Sequence, residues 1–101
     1  MEYRFTPRAQ ADLAELLEFV STQSGSNRAQ AVKDAVFDAV LLLARMPGMG
    51  HRREDLPDPS MRAWPVHGWL ILYRPERMPL EIVRIVGGWQ DVPTTLRSDP
   101  A

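Results

Sequence analysis

Apolar and polar positions change period repeatedly along this chain, and each change marks an element. Residues 2–6 alternate, Tyr3 and Phe5 to one side and Glu2, Arg4 and Thr6 to the other, which is the period of a strand with one wet face. Thr6-Pro7 ends that strand and starts a helix, with Thr6 as N-cap and Pro7 at the first helical position, where a missing N–H costs nothing. Ala9, Leu13, Leu16, Leu17 and Val20 then recur at helical spacing, and Arg8, Asp12, Glu15 and Glu18 read as the wet remainder. Ser24-Gly25-Ser26-Asn27 breaks the helix; Gly25 suits a positive φ, and Asn27 with Gln30 resembles a capping box for a second helix. Ala29, Val32, Val36, Ala39, Val40 and Leu43 form its stripe. It ends before Pro47-Gly48-Met49-Gly50, and the short break predicts an antiparallel helix hairpin.

The second half reads differently. Residues 51–60 are polar and proline-bearing, hence a loop. Two strands follow at 61–66 and 69–74, joined at His67-Gly68 as a two-residue turn. Pro65 cannot donate to a ladder, so the first of these belongs at a sheet edge. Residues 75–79 turn the chain into a last strand over 80–86. The order is βααβββ, an α+β fold with an antiparallel helix hairpin packed on one face of a four-stranded, mainly antiparallel sheet. An up-and-down helix pair returns the chain to the end it left, which predicts that the second strand runs opposite to the first.

Composition narrows the class. At 101 residues with 45% apolar side chains the expectation is one domain over residues 1–101, with a modest core and a loose polar tail from about residue 92. Zero cysteines exclude disulfides and thiolate sites, and two histidines cannot build a metal centre alone, so neither metal nor cofactor is expected. Twelve basic against thirteen acidic residues argue against a wholly cationic nucleic-acid binder. The longest central apolar run, 39–44, is far short of the roughly 20 residues a membrane helix needs. The first residues lack a secretory layout, which points to a soluble cytoplasmic protein. Phosphate-binding glycine loops, zinc-protease and serine-hydrolase motifs are missing from the sequence. His51 and His67 read as solvated loop residues, and the Glu15/Glu18 and Asp34/Asp38 pairs as wet helix faces.

A turn at His67-Gly68 pairs Val66 with Trp69, Trp64 with Ile71 and Arg62 with Tyr73, and opposed residues share a face. One face then carries Met61, Ala63, Pro65, Leu70 and Leu72, suited to lie under the helices. The other carries Arg62, Trp64, Trp69, Ile71 and Tyr73, which reads as an open face wanting a partner. The second helix has surplus apolar flank in Phe37 and Leu41 on one side and Ala35 and Leu42 on the other. These meet either the first helix and the loop, or a partner-covered groove. Arg84, mid-strand among Ile82, Val83, Ile85 and Val86, needs an ion pair. Glu81 and Glu76 are the candidates, unless it faces the open side with Arg62.

Several segments in this order carry a family resemblance: Thr6-Pro7 with Ala9 and Asp12-Leu13; Val32, Val36, Leu43 and Met46-Pro47-Gly48-Met49-Gly50; Arg53-Glu54-Asp55-Leu56, Arg62 and Trp69-Leu70-Ile71-Leu72-Tyr73-Arg74; Glu81-Ile82-Val83-Arg84-Ile85-Val86 and Asp91. The chain resembles the RelE/ParE superfamily of toxins from type II toxin–antitoxin systems, and within it the ParE branch. The resemblance implies a cytoplasmic, non-enzymatic toxin that inhibits DNA gyrase by protein contact. A ParD-like antitoxin would neutralise it in a hetero-oligomer, touching operator DNA only through the antitoxin. It suggests Arg62, Arg84 and Trp89 for target contact and Phe37, Leu41, Trp64 and Tyr73 for antitoxin contact. The RelE-like alternative is a metal-independent mRNA interferase using Arg62, Arg84 and Tyr73, with His67 a substitute acid. A second alternative is a degenerate, non-toxic RNA- or protein-binding member. The chain departs from ParE relatives after the last strand, with Gly87 where a histidine is common and Trp89 and Gln90 at basic positions.

Overall fold

A computed structural model describes residues 2–56 and 58–88. Strand β1 (Tyr3–Phe5) leads into helix α1 (Pro7–Ser24), helix α2 (Ser26–Arg45), a 3-10 turn (Pro47–Met49) and strands β2 (Arg62–Val66), β3 (Trp69–Arg74) and β4 (Leu80–Gly87). The βααβββ order is the expected one. Thr6 caps α1 as the sequence implies: its Oγ1 accepts the Ala9 N–H at 3.1 Å and donates to the Val83 carbonyl at 2.8 Å, so one hydroxyl ties the helix start to β4. The break between the helices is Gly25 alone, at φ 89°, a value that costs glycine little. The Asn27 capping box does not form. Asn27 lies inside α2, and Gln30 hydrogen-bonds Asp34 instead.

The sheet order is β1-β4-β3-β2, with β1 parallel to β4 and the other two pairs antiparallel. The sheet is therefore mixed, and β2 runs with β1, not against it. The parity argument fails because the connection makes an extra pass. After the 3-10 turn the chain runs back beside β2, where His51 and Ala63 exchange both backbone hydrogen bonds at 2.8 and 2.9 Å. Only then does it loop round to enter β2. Pro65 does sit on an edge strand. The His67-Gly68 turn has φ of 50° and 84°, the two positive values of a type I′ hairpin.

The hairpin register matches expectation residue for residue, but the two faces are exchanged. Ile71 and Tyr73 lie under the helices with Val66, Leu80, Ile82 and Ile85, packed on Ala9, Leu16, Val32, Val36, Val40 and Leu43. Met61, Ala63, Leu70 and Leu72 form the back face, which Leu56 and Met61 of the 52–61 loop seal. Alternation separates the two sets, yet both are apolar, and only the covering layer decides which is which. Fully burying each large side chain contributes about 1.5–3 kcal/mol, and the back layer adds to a core that one helix-covered face alone would leave small.

A bulge in β4 completes the frame. Leu72 pairs with Arg84 and Tyr73 with Ile82, so Val83 is the extra residue. Ile82 and Ile85, three apart, both face the helices in consequence.

Candidate functional site

Arg84 is not a surface residue. It is 2% exposed, and its guanidinium makes a two-pronged ion pair with Asp12 of α1, Nε to Oδ2 at 2.7 Å and Nη2 to Oδ1 at 3.2 Å. Asp12 also accepts the Ile85 N–H at 3.0 Å and lies 3.5 Å from the Arg8 guanidinium, one helical turn earlier. Neither expected partner is used: Glu81 bridges Arg4 and Arg74 at 2.5 and 3.1 Å, and Glu76 is exposed. Asp12, read from sequence as wet, is 5% exposed. The signal was present. Positions 9, 12, 16 and 20 are spaced three, four and four, so Asp12 falls on the buried stripe of α1.

Tyr73 is 0% exposed, which corrects its place on an open face. Its hydroxyl accepts the Gly50 N–H at 2.8 Å and donates to the Pro47 carbonyl at 2.7 Å. Its cross-strand neighbour Arg62, half-buried, donates to the Gly50 carbonyl at 2.9 Å. The pair thus clamps the turn that follows α2. Burial raises the Tyr73 phenol above its usual value, with the Gly50 hydrogen bond and the Arg62 charge opposing the rise. A general acid must reach its substrate and release a proton; this phenol reaches only the backbone. With Arg84 sealed as well, Arg62, Arg84 and Tyr73 present no common surface to an RNA phosphate. Trp64 is half-buried against the helix-side core, and the exposed His51 ring stacks on it at 6.0 Å and 8°.

Among the described residues two surfaces stand out. Between α1 and α2, beside β1, lies a groove of about 410 Å³ formed by Phe5, Leu13, Ala14, Leu17 and Phe37, with Gln10 and Lys33 as its polar members. Phe37 reaches across to Phe5 and Tyr3, ring centroids 5.8 and 6.4 Å apart. Leu41, one turn along α2, is 43% exposed. Phe37 and Leu41 were legible from the surplus flank of α2. Leu13 and Leu17 fit the core stripe of α1 equally well by spacing, and nothing in the sequence marks Lys33 as part of a groove.

The other surface is at the hairpin tip. Trp69, half-buried, meets Phe19 of α1 edge-on at 6.3 Å, and Phe19 is 51% exposed. The Gly88 N–H donates to the Gly68 carbonyl at 2.8 Å, and a Cβ on Gly88 would sit 2.9 Å from that oxygen. The chain therefore leaves β4 tight against the turn, exposed His67 beside it. Trp89, named for target contact, lies outside the described residues. Among those described, no cluster of His, Cys, Asp or Glu is arranged to hold a metal, and no helix is long and apolar enough to cross a membrane.

No curated protein matches the chain. Among solved structures it is similar to a chain of the chromosomal ParDE toxin–antitoxin system from P. aeruginosa, with TM-score 0.72 and 21% identity over 86% of this chain and 95% of that one. That likeness carries the fold. The family model described as the ParE toxin of the type II toxin–antitoxin system parDE matches residues 3–92, which takes in the capped α1, the Asp12–Arg84 pair and the Tyr73 clamp, and the chain accordingly belongs to the ParE toxin family.

Proposed function

We propose that this ParE-family toxin acts on DNA gyrase by protein contact, in the cytoplasm, and is neutralised by a co-encoded ParD-like antitoxin that docks in the groove between α1 and α2. The single observation carrying the neutralisation half is that groove: Leu13, Leu17 and Phe37 line a concavity that the described chain does not fill. An apolar cleft on a small domain is a docking surface for a helix or strand of amphipathic chain. Phe37 and Leu41 are the contact residues on α2. Trp64 offers its half-buried edge, while Tyr73 contributes by holding the end of α2 in place.

The target-facing half rests on the sealing of Arg84 and Tyr73, which removes two of the three residues an mRNA interferase would use. Arg62 and Trp89 are the proposed target contacts. Arg84 acts behind them, fixing β4 from which Trp89 follows. Expression in cells separates the readings. Gyrase inhibition induces the DNA-damage response and filamentation while bulk translation continues; prompt translation arrest with cut transcripts would overturn it in favour of the nuclease. Trp89→Ala and Arg62→Ala are each expected to relieve growth arrest. Undiminished arrest in both, with the folded state intact by urea denaturation, would discard the contact assignment.

A further inference from the structure

Lys33 is the only lysine in the chain, and it stands at the groove otherwise lined by apolar carbon and Gln10. Arg74 is ion-paired with Asp58 and Glu81 and Arg84 with Asp12, while half-buried Arg62 donates to the Gly50 carbonyl. Among the described residues Lys33 has no carboxylate within 4.0 Å. Its helical neighbours explain why. Positions three and four away on α2 are Gln30, Val36, Ala29 and Phe37, none acidic, and those are the positions a helical side chain meets. Adjacent Asp34 is engaged by Gln30 at 2.9 Å. Across the groove α1 presents Gln10, Leu13, Ala14 and Leu17, again without an acid.

A segment that fills this groove with apolar side chains takes water away from the ammonium. Desolvating a charge is unfavourable unless a counter-charge arrives with the occupant. We infer that the groove selects a partner segment whose apolar residues fill the space between α1 and α2 and whose carboxylate pairs with Lys33, making Lys33 a specificity determinant for the antitoxin. This rests on the proposed docking of the antitoxin in the groove, and it adds the charge pattern that segment carries. Lys33 is exposed at the border of the groove, and a lysine there covers apolar surface with its stem while its amine meets an acid at the rim.

The test uses the full chain and the antitoxin encoded beside it, titrated calorimetrically at low and high salt. Lys33→Met is expected to weaken binding about two- to fivefold, the range of a partly exposed ion pair, and to flatten the salt dependence. Lys33→Glu should weaken it about tenfold, because repulsion adds to the lost attraction. Replacing antitoxin acids by Lys one at a time should restore the Lys33→Glu variant at one position. Ala14→Trp, an exposed site on the groove wall, blocks the groove without touching the core and reports on docking itself. If Ala14→Trp abolishes binding but both Lys33 variants bind like the parent, the charge inference is overturned and the docking stands. If Ala14→Trp binds like the parent, docking in the groove is refuted and the inference falls with it. Self-association of the free chain lost in Ala14→Trp would assign the groove to a second copy, and would overturn both.

Discussion

Replacing Asp12 by Leu removes one end of the ion pair that joins α1 to β4. Four interactions end on that carboxylate: the two prongs of Arg84 at 2.7 and 3.2 Å, the Ile85 N–H at 3.0 Å, and the Arg8 guanidinium at 3.5 Å. Removing one partner of a buried pair costs about 3–5 kcal/mol, because the remaining charge stays desolvated. A domain of this size has roughly 5–15 kcal/mol in total, so Asp12→Leu is expected to take a large share of it. Arg84→Met should be comparably harmful, since it leaves a carboxylate in the core with only the Ile85 N–H and the more distant Arg8. The double variant is the informative one. With both charges gone the site holds two apolar chains, and the cost should fall below that of either single change, apart from an unsatisfied Ile85 N–H worth about 1–3 kcal/mol. The coupling energy in the cycle is therefore expected to exceed about 2 kcal/mol.

Urea denaturation followed by tryptophan fluorescence gives the four stabilities, with Trp64 and Trp69 packed against the helix-side core as reporters. The m-values must agree across the set for the comparison to hold. Additive single costs, or an Asp12→Leu variant within about 1 kcal/mol of the parent, would show that apolar contact and the Thr6 hydrogen bonds hold α1 to β4 and that the pair is incidental.

Other perturbations report on separate parts of the frame. A Cβ on residue 50 would lie 2.2 Å from the Tyr73 hydroxyl oxygen, so Gly50→Ala should cost about 1–3 kcal/mol by overpacking, read as a fall in Tm. Tyr73→Phe should cost about 1–3 kcal/mol by stranding the Gly50 N–H and the Pro47 carbonyl; a neutral result would deny the clamp. At the hairpin tip, Gly68→Ala at φ 84° should lose about 1–2 kcal/mol, whereas His67→Asn, which suits a type I′ turn, should raise Tm slightly. Asp58, held down to about 2 chiefly by the Ser60 side chain, then the Ser60 N–H and Arg74, against an ordinary value of 3.8, favours the folded loop fully above pH 4. A folded value below the unfolded one means that this contribution is lost as pH falls from about 4 through 2. The protection factor of the Ser60 amide, referred to its intrinsic rate at each pH, should fall across that window and in Asp58→Asn at neutral pH, and protection unchanged in both would refute the role.

How much of this was legible in the sequence depended on whether the signal was local. The Thr6-Pro7 start, the His67-Gly68 turn and the hairpin register are set by residues within a few positions of each other, and each was read correctly. The choice of sheet face was not local. Arg62, Trp64, Ile71 and Tyr73 form one set by alternation, and an arginine among rings reads as a wet surface. In the fold Arg62 and Tyr73 face the backbone of Pro47–Gly50, twelve to twenty-six residues away, so polar groups in that set mark an internal clamp. Arg84 failed for a related reason. Its partner lies 72 residues off, and the bulge at Val83 breaks the alternation that would have oriented it. The groove was half legible: α2 advertised Phe37 as surplus, together with Leu41 one turn beyond the lining, while Leu13 and Leu17 matched a core stripe equally well.

The two internal clamps bear on how a partner would act. Asp12–Arg84 fixes α1 to β4, and Tyr73 with Arg62 fixes the end of α2 to β2 and β3, so the helices on either side of the groove are anchored independently to the same sheet. A groove whose walls are tied in this way is formed before anything enters it. The ordering cost of association then falls on the incoming segment, and a toxin of this build would be silenced by being covered, with little change in its own fold. That has a measurable consequence. In the complex, exchange protection should rise at α1 and α2 along the groove and stay level at Ile85, which Asp12 already holds. A large gain at Ile85 would mean that binding orders β4, and would transfer the control point from the groove to the Asp12–Arg84 pair.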